Sequence, residues 1–282
     1  MFVPWSKLPD RFGAMRDTST LHRTGGGKIA YRHRPGKSPG VMFCPGYHST
    51  MDGDKATWLD TVCAEAGHAY TRFDYQGHGE SSGAFRDGTI GLWRDDALAV
   101  LDQVAQGPQM LVGSSMGAWT ALLLTAARPE RVRALVLIAP APDFPYRLMW
   151  PSLDTATRTT LETEGIWMRP SEFEEDPYPV TMRFIEESRD HEVLGGKPVG
   201  FDGPVRILHG TRDEVIPTAH AHACLDAVTS NDVTLTLIKG GDHRLSTPAD
   251  LDRLADTLRA LLPPATPETA PQPCSSRANP TR

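Results

Sequence analysis

Short apolar runs alternate with polar, glycine- and proline-containing stretches along most of this sequence. Near-continuous aliphatic runs such as VMFC, VRALVLIA and VRILH are typical of strands buried on both faces of a parallel sheet. Between them, segments such as 92–105 and 248–262 place their apolar side chains on one face of a helix. The alternation predicts an α/β fold with a mostly parallel central sheet flanked by helices.

An antiparallel hairpin is predicted to start the sheet. It spans residues 21–33 and turns around the glycine run GGG at 25–27. The other predicted strands are 41–44, 69–75, 109–112, 132–139, 205–209 and 233–238, and the predicted helices are 57–66, 92–105, 119–127 and 248–262.

Two segments break this rhythm. Residues 140–203 are rich in proline and aromatic residues, carry no clear strand, and lie between two predicted sheet strands. We expect this insertion to form a lid over a site at the edge of the sheet. Residues 263–282 are dense in proline, lack aromatic residues and are predicted to be disordered. One domain is therefore expected over 1–262, followed by a tail.

Composition excludes several classes of function. The 282 residues carry a formal charge of 29 − 35 = −6, which offers no basic surface for nucleic acid. No apolar run approaches the roughly 18 residues of a membrane span, and the N-terminus lacks a secretory segment. Cys44, Cys63, Cys224 and Cys274 lie far apart, which predicts neither disulfides nor a zinc site. We therefore expect a cytoplasmic protein of undetermined oligomeric state.

The stretch QMLVGSSMGAW, residues 109–119, contains the pattern G-x-S-x-G between a predicted strand and a predicted helix. This is the pattern of a nucleophile elbow, in which glycines are needed two residues either side of a strained serine. Only Ser115 has them, at Gly113 and Gly117. Ser115 is the predicted nucleophile, and Ser114 is expected to pack beneath the turn. The alternative is an ordinary strand-to-helix turn.

A serine hydroxyl needs a base and the base needs a carboxylate, and in this architecture the order is serine, acid, histidine at successive strand ends. Asp213 follows the strand ending in VRILH, and His243 follows the strand VTLTLI. Both are expected to lie beside Ser115. Glu214 and Asp242 are the alternative candidates for the acid. Glu214 is adjacent to Asp213, and adjacent side chains in a loop point apart. Asp242 directly precedes His243 and is badly placed to bond Nδ1 of its ring.

Other polar groups have supporting roles. The backbone N–H groups of Met116, after the nucleophile, and of Tyr47, after Pro45-Gly46, are the predicted oxyanion donors. His209 is interpreted as structural, and His78 is a weaker candidate for lining the site. His48, His68, His191, His220 and His222 are expected to be packed or solvated rather than catalytic.

The insertion supplies candidates for substrate binding. Its apolar side chains either line an acyl pocket or pack the lid onto the body: Phe144, Tyr146, Leu148, Met149, Trp150, Ile166, Trp167, Met168 and Phe184. Trp150 and Trp167, together with His48 in the loop after VMFC, are the chosen candidates for substrate contact. An anionic leaving group would meet an arginine of the insertion, with the choice open among Arg147, Arg158 and Arg169.

The motifs CPGYHSTMDGDKA, FDYQGHGESSG, WRDD, GPQMLVGSSMGAW, LHGTRDEVIP and GGDHRLS resemble those of the α/β-hydrolase domain-containing protein 10 family. The resemblance runs from about residue 29 to 261. It implies an α/β-hydrolase fold and the catalytic residues Ser115, Asp213 and His243. The animal member of that family is a mitochondrial palmitoyl-protein thioesterase and acyl-glucuronide esterase. We expect this chain to have no long presequence. It also departs from the animal member in having Ala118 after the elbow and in its lid, and it resembles a bacterial relative.

The predicted reaction is acyl transfer from an ester or thioester to water through an acyl-enzyme. The expected partner is a small-molecule or acylated substrate, and neither a metal nor an organic cofactor is predicted, because no such fingerprint is present. Two alternatives remain open. One is cleavage of a C–C or peptide bond by the same triad, and the other is a ligand-binding receptor with slow turnover.

Overall fold

The computed structural model describes residues 15–23, 26–170 and 176–263. The strands in these ranges are β1 (Ser19–His22), β2 (Lys28–Arg34), β3 (Lys37–Cys44), β4 (His68–Phe73), β5 (Gln109–Ser114), β6 (Val132–Ile138), β7 (Ile166–Arg169), β8 (Tyr178–Thr181), β9 (Val205–Gly210) and β10 (Val233–Ile238). The α-helices are α1 (Asp54–Ala66), α2 (Ile90–Gln103), α3 (Met116–Ala127), α4 (Trp150–Ser152), α5 (Thr155–Glu164), α6 (Met182–Glu187), α7 (Thr218–Ala223) and α8 (Pro248–Leu261).

Eight strands form the central sheet in the order β1-β2-β4-β3-β5-β6-β9-β10. The six strands from β4 to β10 in that order run parallel, whereas β2 pairs antiparallel with both β1 and β4. The predicted mostly parallel sheet and its starting hairpin are confirmed, although Gly25 in the hairpin turn lies outside the described residues. Because parallel strands end at one edge, the loops after β3, β5, β9 and β10 meet there.

Apolar side chains cover both faces of the sheet. Met42 and Cys44 of β3 belong to a core shared with α2 and α3, while Val41 and Phe43 belong to a second core shared with α1 and α8. Successive strand residues point to opposite faces, so a strand buried on both sides reads as a continuous apolar run. The predicted α/β layering is therefore confirmed.

Helix boundaries follow from local chemistry. α1 is capped at its C-terminus by Gly67, whose φ of 73° is the left-handed conformation that favours glycine. α8 begins with a capping box, in which the Thr247 hydroxyl accepts from the Asp250 N–H while the Asp250 carboxylate accepts from the Thr247 N–H. Pro248 follows in the first turn, where its missing N–H costs nothing. The closing helix is thereby fixed behind the loop that follows β10.

The insertion between β6 and β9 contains α4, α5, α6 and a separate two-stranded sheet of β7 and β8. The expectation that this insertion has no strand is wrong. β7 and β8 pair antiparallel from Ile166 opposite Thr181 to Arg169 opposite Tyr178. Each strand has only four residues, and β8 contains Pro179, which a two-stranded sheet tolerates because both strands are edges. A short strand with a proline does not show the usual sequence pattern.

Asp143 joins the two ends of the insertion. Its buried carboxylate accepts hydrogen bonds from the N–H groups of Val193, at 3.0 Å, and Leu194, at 2.8 Å. Arg147 lies 3.2 Å from the same carboxylate. Residues fifty positions apart are thereby held together, which ties the start of the insertion to a segment near its end.

Within the three described ranges, no helix is both long enough and apolar enough to cross a bilayer. The same residues contain no group of three or more histidine, cysteine or acidic side chains arranged to hold a metal ion. Cys44, Cys63 and Cys224 are free thiols buried in the core. Apart from Pro263, the predicted disordered tail lies outside the described residues.

Candidate active site

Ser115 lies at the turn between β5 and α3 in a strained conformation, with φ 56° and ψ −120°. A Cβ at Gly113 would overlap the backbone of Gly117, and a Cβ at Gly117 would overlap the carbonyl oxygen of Cys44. Glycine is therefore required at both positions, as the elbow pattern predicts. Ser114 is buried as the last residue of β5, which agrees with its expected place beneath the turn.

The loops after β5, β9 and β10 bring Ser115, Asp213 and His243 into one hydrogen-bonded chain. His243 Nε2 lies 3.0 Å from Ser115 Oγ, and His243 Nδ1 lies 2.7 Å from Asp213 Oδ2. With the Nδ1 proton donated to the carboxylate, Nε2 is left as the acceptor for the serine hydroxyl. This arrangement can remove a proton from Ser115.

The carboxylate of Asp213 is held on both oxygens. Its Oδ1 accepts hydrogen bonds from the N–H groups of Val215, at 2.9 Å, and Ile216, at 2.7 Å. Burial acts to raise the pKa of this carboxyl, but the hydrogen bond and charge of His243 and the two backbone N–H groups outweigh it and lower the pKa. Asp213 is thus ionised at neutral pH and oriented toward the imidazole.

The rival acids lie elsewhere. Glu214 is exposed, whereas the side chain of the neighbouring Asp213 is fully buried. Asp242 accepts the N–H of Leu245 at 2.9 Å and so closes a turn within its own loop. Of the acids considered from the sequence, Asp213 is the one placed against His243.

His209 is a buried neighbour of the acid that sequence reasoning interpreted as structural. Its Nε2 lies 3.9 Å from Asp213 Oδ2, and neither ring nitrogen has a hydrogen-bond partner among the described residues. Burial lowers the pKa of His209, while the charge of Asp213 opposes that shift. The neutral ring of His209 packs beside the Asp213 carboxylate. The only sequence signal for this contact was the position of His209 near the end of a predicted strand.

The backbone segments that contain the predicted oxyanion donors lie beside Ser115. Met116 begins α3, where backbone N–H groups have no partner within the helix. A Cβ at Gly46 would lie 3.2 Å from the Ser114 carbonyl oxygen and 3.4 Å from the Ser115 Cβ. The loop carrying Tyr47 therefore passes directly against the elbow, which is where a second donor is needed.

The side chain of Tyr47 is the centre of an aromatic cluster that sequence reasoning missed. Five rings have centroids between 4.9 and 5.8 Å from the Tyr47 ring, those of Phe85, Trp93, Phe144, Tyr178 and Phe184. The Tyr47 hydroxyl also donates to the Pro179 carbonyl at 3.4 Å. Three of these rings come from the insertion, so the insertion packs on the residue that carries a predicted oxyanion donor.

His48 and His78 lie at the border of this cluster. The His48 ring stacks on Tyr178 with centroids 5.0 Å apart, and the Arg169 guanidinium lies 6.0 Å from the centroid of the same tyrosine. Arg169 is thus the one of the three candidate arginines placed by these contacts near the loop that carries Tyr47 and His48. His78 is buried between Phe85 and other rings, and burial lowers its pKa to about 4.

The other candidates from the insertion lie further along it. Trp150 packs under the guanidinium of Arg158 at 5.5 Å, and Trp167 belongs to β7, opposite Val180. Both tryptophans are partly buried against the main core. Their role in substrate binding, like that of His48, stays a prediction.

Comparison with known proteins identifies related chains. Residues 39–176 match the family described as serine aminopeptidase, S33, a range that includes Ser115 and ends before Asp213 and His243. The mitochondrial palmitoyl-protein thioesterase ABHD10 of Mus musculus is 41% identical over 245 residues, which cover 86% of this chain and 82% of the mouse protein.

Two solved structures have the same architecture. Mouse α/β hydrolase domain-containing protein 10 matches with a TM-score of 0.80 at 40% identity, covering 87% of this chain and 98% of the mouse chain. A putative hydrolase from Agrobacterium vitis S4 matches with a TM-score of 0.83 at 39% identity, covering 88% and 99%. The similarity therefore extends over most of this chain.

Proposed function

This chain belongs to the α/β-hydrolase family that contains the palmitoyl-protein thioesterases ABHD10, and from that premise we propose that it cleaves acyl thioesters and carboxylic esters through an acyl-enzyme on Ser115. Membership makes the chain a hydrolase of the ester and thioester class. The observation that carries the finer proposal is the hydrogen-bonded chain from Asp213 through His243 to Ser115. We assign these residues the roles of orienting acid, general base and nucleophile.

In the first half of the proposed reaction, Ser115 Oγ attacks the substrate carbonyl carbon while its proton passes to His243 Nε2. Asp213, ionised and buried, stabilises the imidazolium that forms. The N–H groups of Tyr47 and Met116 donate to the oxyanion, and each such donor contributes about 3 kcal/mol in serine hydrolases. The thiol or alcohol leaves with the proton from His243.

In the second half, water replaces the leaving group. His243 Nε2 takes a proton from this water, whose oxygen attacks the acyl carbon, and the same two N–H groups stabilise the second oxyanion. Collapse of the intermediate releases the carboxylic acid and returns the proton to Ser115. The roles of the residues are the same in both halves, so the triad needs no rearrangement between them.

An apolar acyl chain is the proposed substrate group. The relatives are named for palmitoyl-protein thioesters, and the loop beside Ser115 packs against the apolar insertion that carries Phe144 and Phe184. We propose that part of this insertion, with Trp150, Trp167 and His48 as candidates, contacts the acyl chain.

Hydrolysis of acyl thioesters and p-nitrophenyl esters, from acetyl to palmitoyl, tests the proposal. We expect turnover of both classes, a preference that depends on chain length, and loss of turnover in Ser115→Ala but not in Ser114→Ala. Binding of acyl compounds without turnover by the wild-type protein would favour the receptor alternative and contradict the proposal. A flat chain-length profile would contradict the acyl-binding part of it.

The site of action in the cell is a separate question. The mouse relative is mitochondrial by name, whereas a cytoplasmic location for this chain is our proposal from the sequence. Fractionation of the native host, followed by detection of the protein, tests this directly.

A further inference from the structure

Lys55, the second residue of α1, lies against the loop that carries His243. Its Nζ donates to the carbonyl oxygen of Arg244 and, at 3.1 Å, to the hydroxyl of Ser246. Arg244 directly follows His243, and Ser246 closes the loop by donating to the same carbonyl at 3.1 Å. A single amine thereby binds two points of the chain just after the base, almost 190 residues away in sequence.

The other side of this loop is bound to the loop that carries the acid. The Arg212 N–H donates to the Gly241 carbonyl, and the Gly240 N–H donates to the Thr211 hydroxyl, both at 2.9 Å. These bonds hold the segment before His243. In the segment after it, Lys55 donates two hydrogen bonds from α1, and Arg244 adds an ion pair at 4.0 Å with the exposed Asp54 of the same helix. The turn closed by Asp242 and Leu245 is internal to the loop.

We propose that Lys55 is a positioning residue for the general base, holding the backbone after His243 so that Nε2 stays directed at Ser115. The proposal rests on the function assigned above, since it gives His243 the role of base. Lys55 touches neither the nucleophile nor the substrate path in this role. It acts through the loop, by linking α1, which follows the loop that carries Tyr47, to the loop of the base.

The charges around the amine make this link sensitive to pH. Burial lowers the pKa of Lys55 to about 8, helped by the charge of Arg244 and opposed by the carboxylates of Asp54 on α1, Asp242 in the loop and Asp250 on α8. Below that pH the ammonium donates charge-assisted hydrogen bonds, and above it a neutral amine donates weaker ones. The loop is therefore held less firmly in alkaline solution.

Steady-state kinetics of the full chain between about pH 6 and 10 test the proposal. Lys55→Met keeps an unbranched side chain that is one atom shorter and removes the donors. We expect kcat to fall on the order of 10- to 100-fold at neutral pH with KM little changed, because a misplaced catalytic group costs turnover rather than binding. We also expect the fall in wild-type kcat near pH 8 to be absent from the variant. Lys55→Arg, which keeps a cation at every pH tested, is expected to retain kcat above pH 8.

Two further variants make the test specific. Ser246→Ala removes one partner of the amine and leaves Lys55 in place, so we expect a smaller loss of kcat and an unchanged melting temperature. Lys239→Met removes an exposed cation from the same loop and is the matched control for charge. This proposal alone would be overturned if Lys55→Met had the kcat of the wild type and the same fall in kcat near pH 8, while Ser115→Ala was inactive. Activity that persists in Ser115→Ala would overturn the proposed function beneath it.

Discussion

Gly210, three residues before the acid, packs directly against Gly241, two residues before the base. A Cβ added at Gly210 would overlap the carbonyl group of Gly241 and lie 2.6 Å from the carbonyl oxygen of Asp242. The end of β9 can approach the loop after β10 this closely only because position 210 is glycine. The contact sets the distance between the Asp213 and His243 loops, and so the 2.7 Å hydrogen bond between their side chains.

Gly210→Ala is therefore expected to push the two loops apart. We expect kcat to fall on the order of 100-fold and stability to drop by about 1–3 kcal/mol, the range typical of overpacking. Steady-state kinetics and thermal unfolding measure both effects. Gly200→Ala is the control, since a Cβ there meets no atom within 4 Å. Equal kcat in Gly210→Ala and wild type would show that this contact does not set the geometry.

Asp213→Asn tests the orienting role of the acid. An amide does not stabilise the imidazolium and favours the wrong imidazole tautomer, so we expect kcat to fall about 10⁴-fold, as in serine proteases. KM and the melting temperature should change little in comparison. Glu214→Gln, the exposed neighbouring acid, is the matched control and is expected to keep wild-type kcat. If Glu214→Gln showed the larger loss, the acid would have to be reassigned.

His78 is expected to make the fold sensitive to acid. Its pKa is about 4 in the folded protein and 6.5 in an unfolded chain, so between these values only the unfolded chain binds the proton. Stability is therefore complete above about pH 6.5 and is lost as the pH falls toward 4, by up to about 3 kcal/mol. His78→Phe keeps a ring in the cluster but cannot titrate.

Denaturant unfolding at several pH values checks this expectation. The stability of His78→Phe should depend less steeply on pH between about 4 and 6.5 than that of wild type. His22→Phe, at an exposed position, is expected to leave the slope unchanged. Parallel slopes for His78→Phe and wild type would mean that another group accounts for the acid sensitivity.

The aromatic cluster around Tyr47 predicts a coupling between the insertion and the oxyanion hole. Tyr47→Phe keeps the five ring contacts and loses only the bond to Pro179, so we expect nearly wild-type kcat. Tyr47→Ala removes the ring that holds the loop, and we expect kcat to fall on the order of 100-fold, the loss seen when one oxyanion donor is removed. Kinetics with a short-chain ester separate this effect from acyl-chain binding. Equal kcat for both variants would contradict the coupling.

Local sterics and strand order explain what the sequence could predict. Gly113 and Gly117 allowed the elbow to be predicted. A Cβ at either position would clash with backbone atoms only a few residues away or on the adjoining strand. Asp213 and His243 could be predicted because parallel strands end at one edge of the sheet. These features need no knowledge of how distant side chains pack.

Contacts between distant segments could not be predicted in the same way. The rings around Tyr47 depend on how the insertion folds, and its small sheet was missed because Pro179 interrupts a four-residue strand. Lys55 meets Ser246 across 191 positions, and its surrounding sequence shows only the start of a helix. Such contacts follow from tertiary packing, which leaves no periodic pattern in the chain.

Labelling with a fluorophosphonate, followed by mass spectrometry of the labelled peptide, tests the central claim most directly. Only a serine activated by a base reacts rapidly with this probe. We predict rapid, stoichiometric labelling at Ser115 in the wild-type protein and in Ser114→Ala, and its loss in Ser115→Ala and His243→Ala. Labelling on another residue, or labelling that persists in Ser115→Ala, would contradict the claim that Ser115 is the nucleophile.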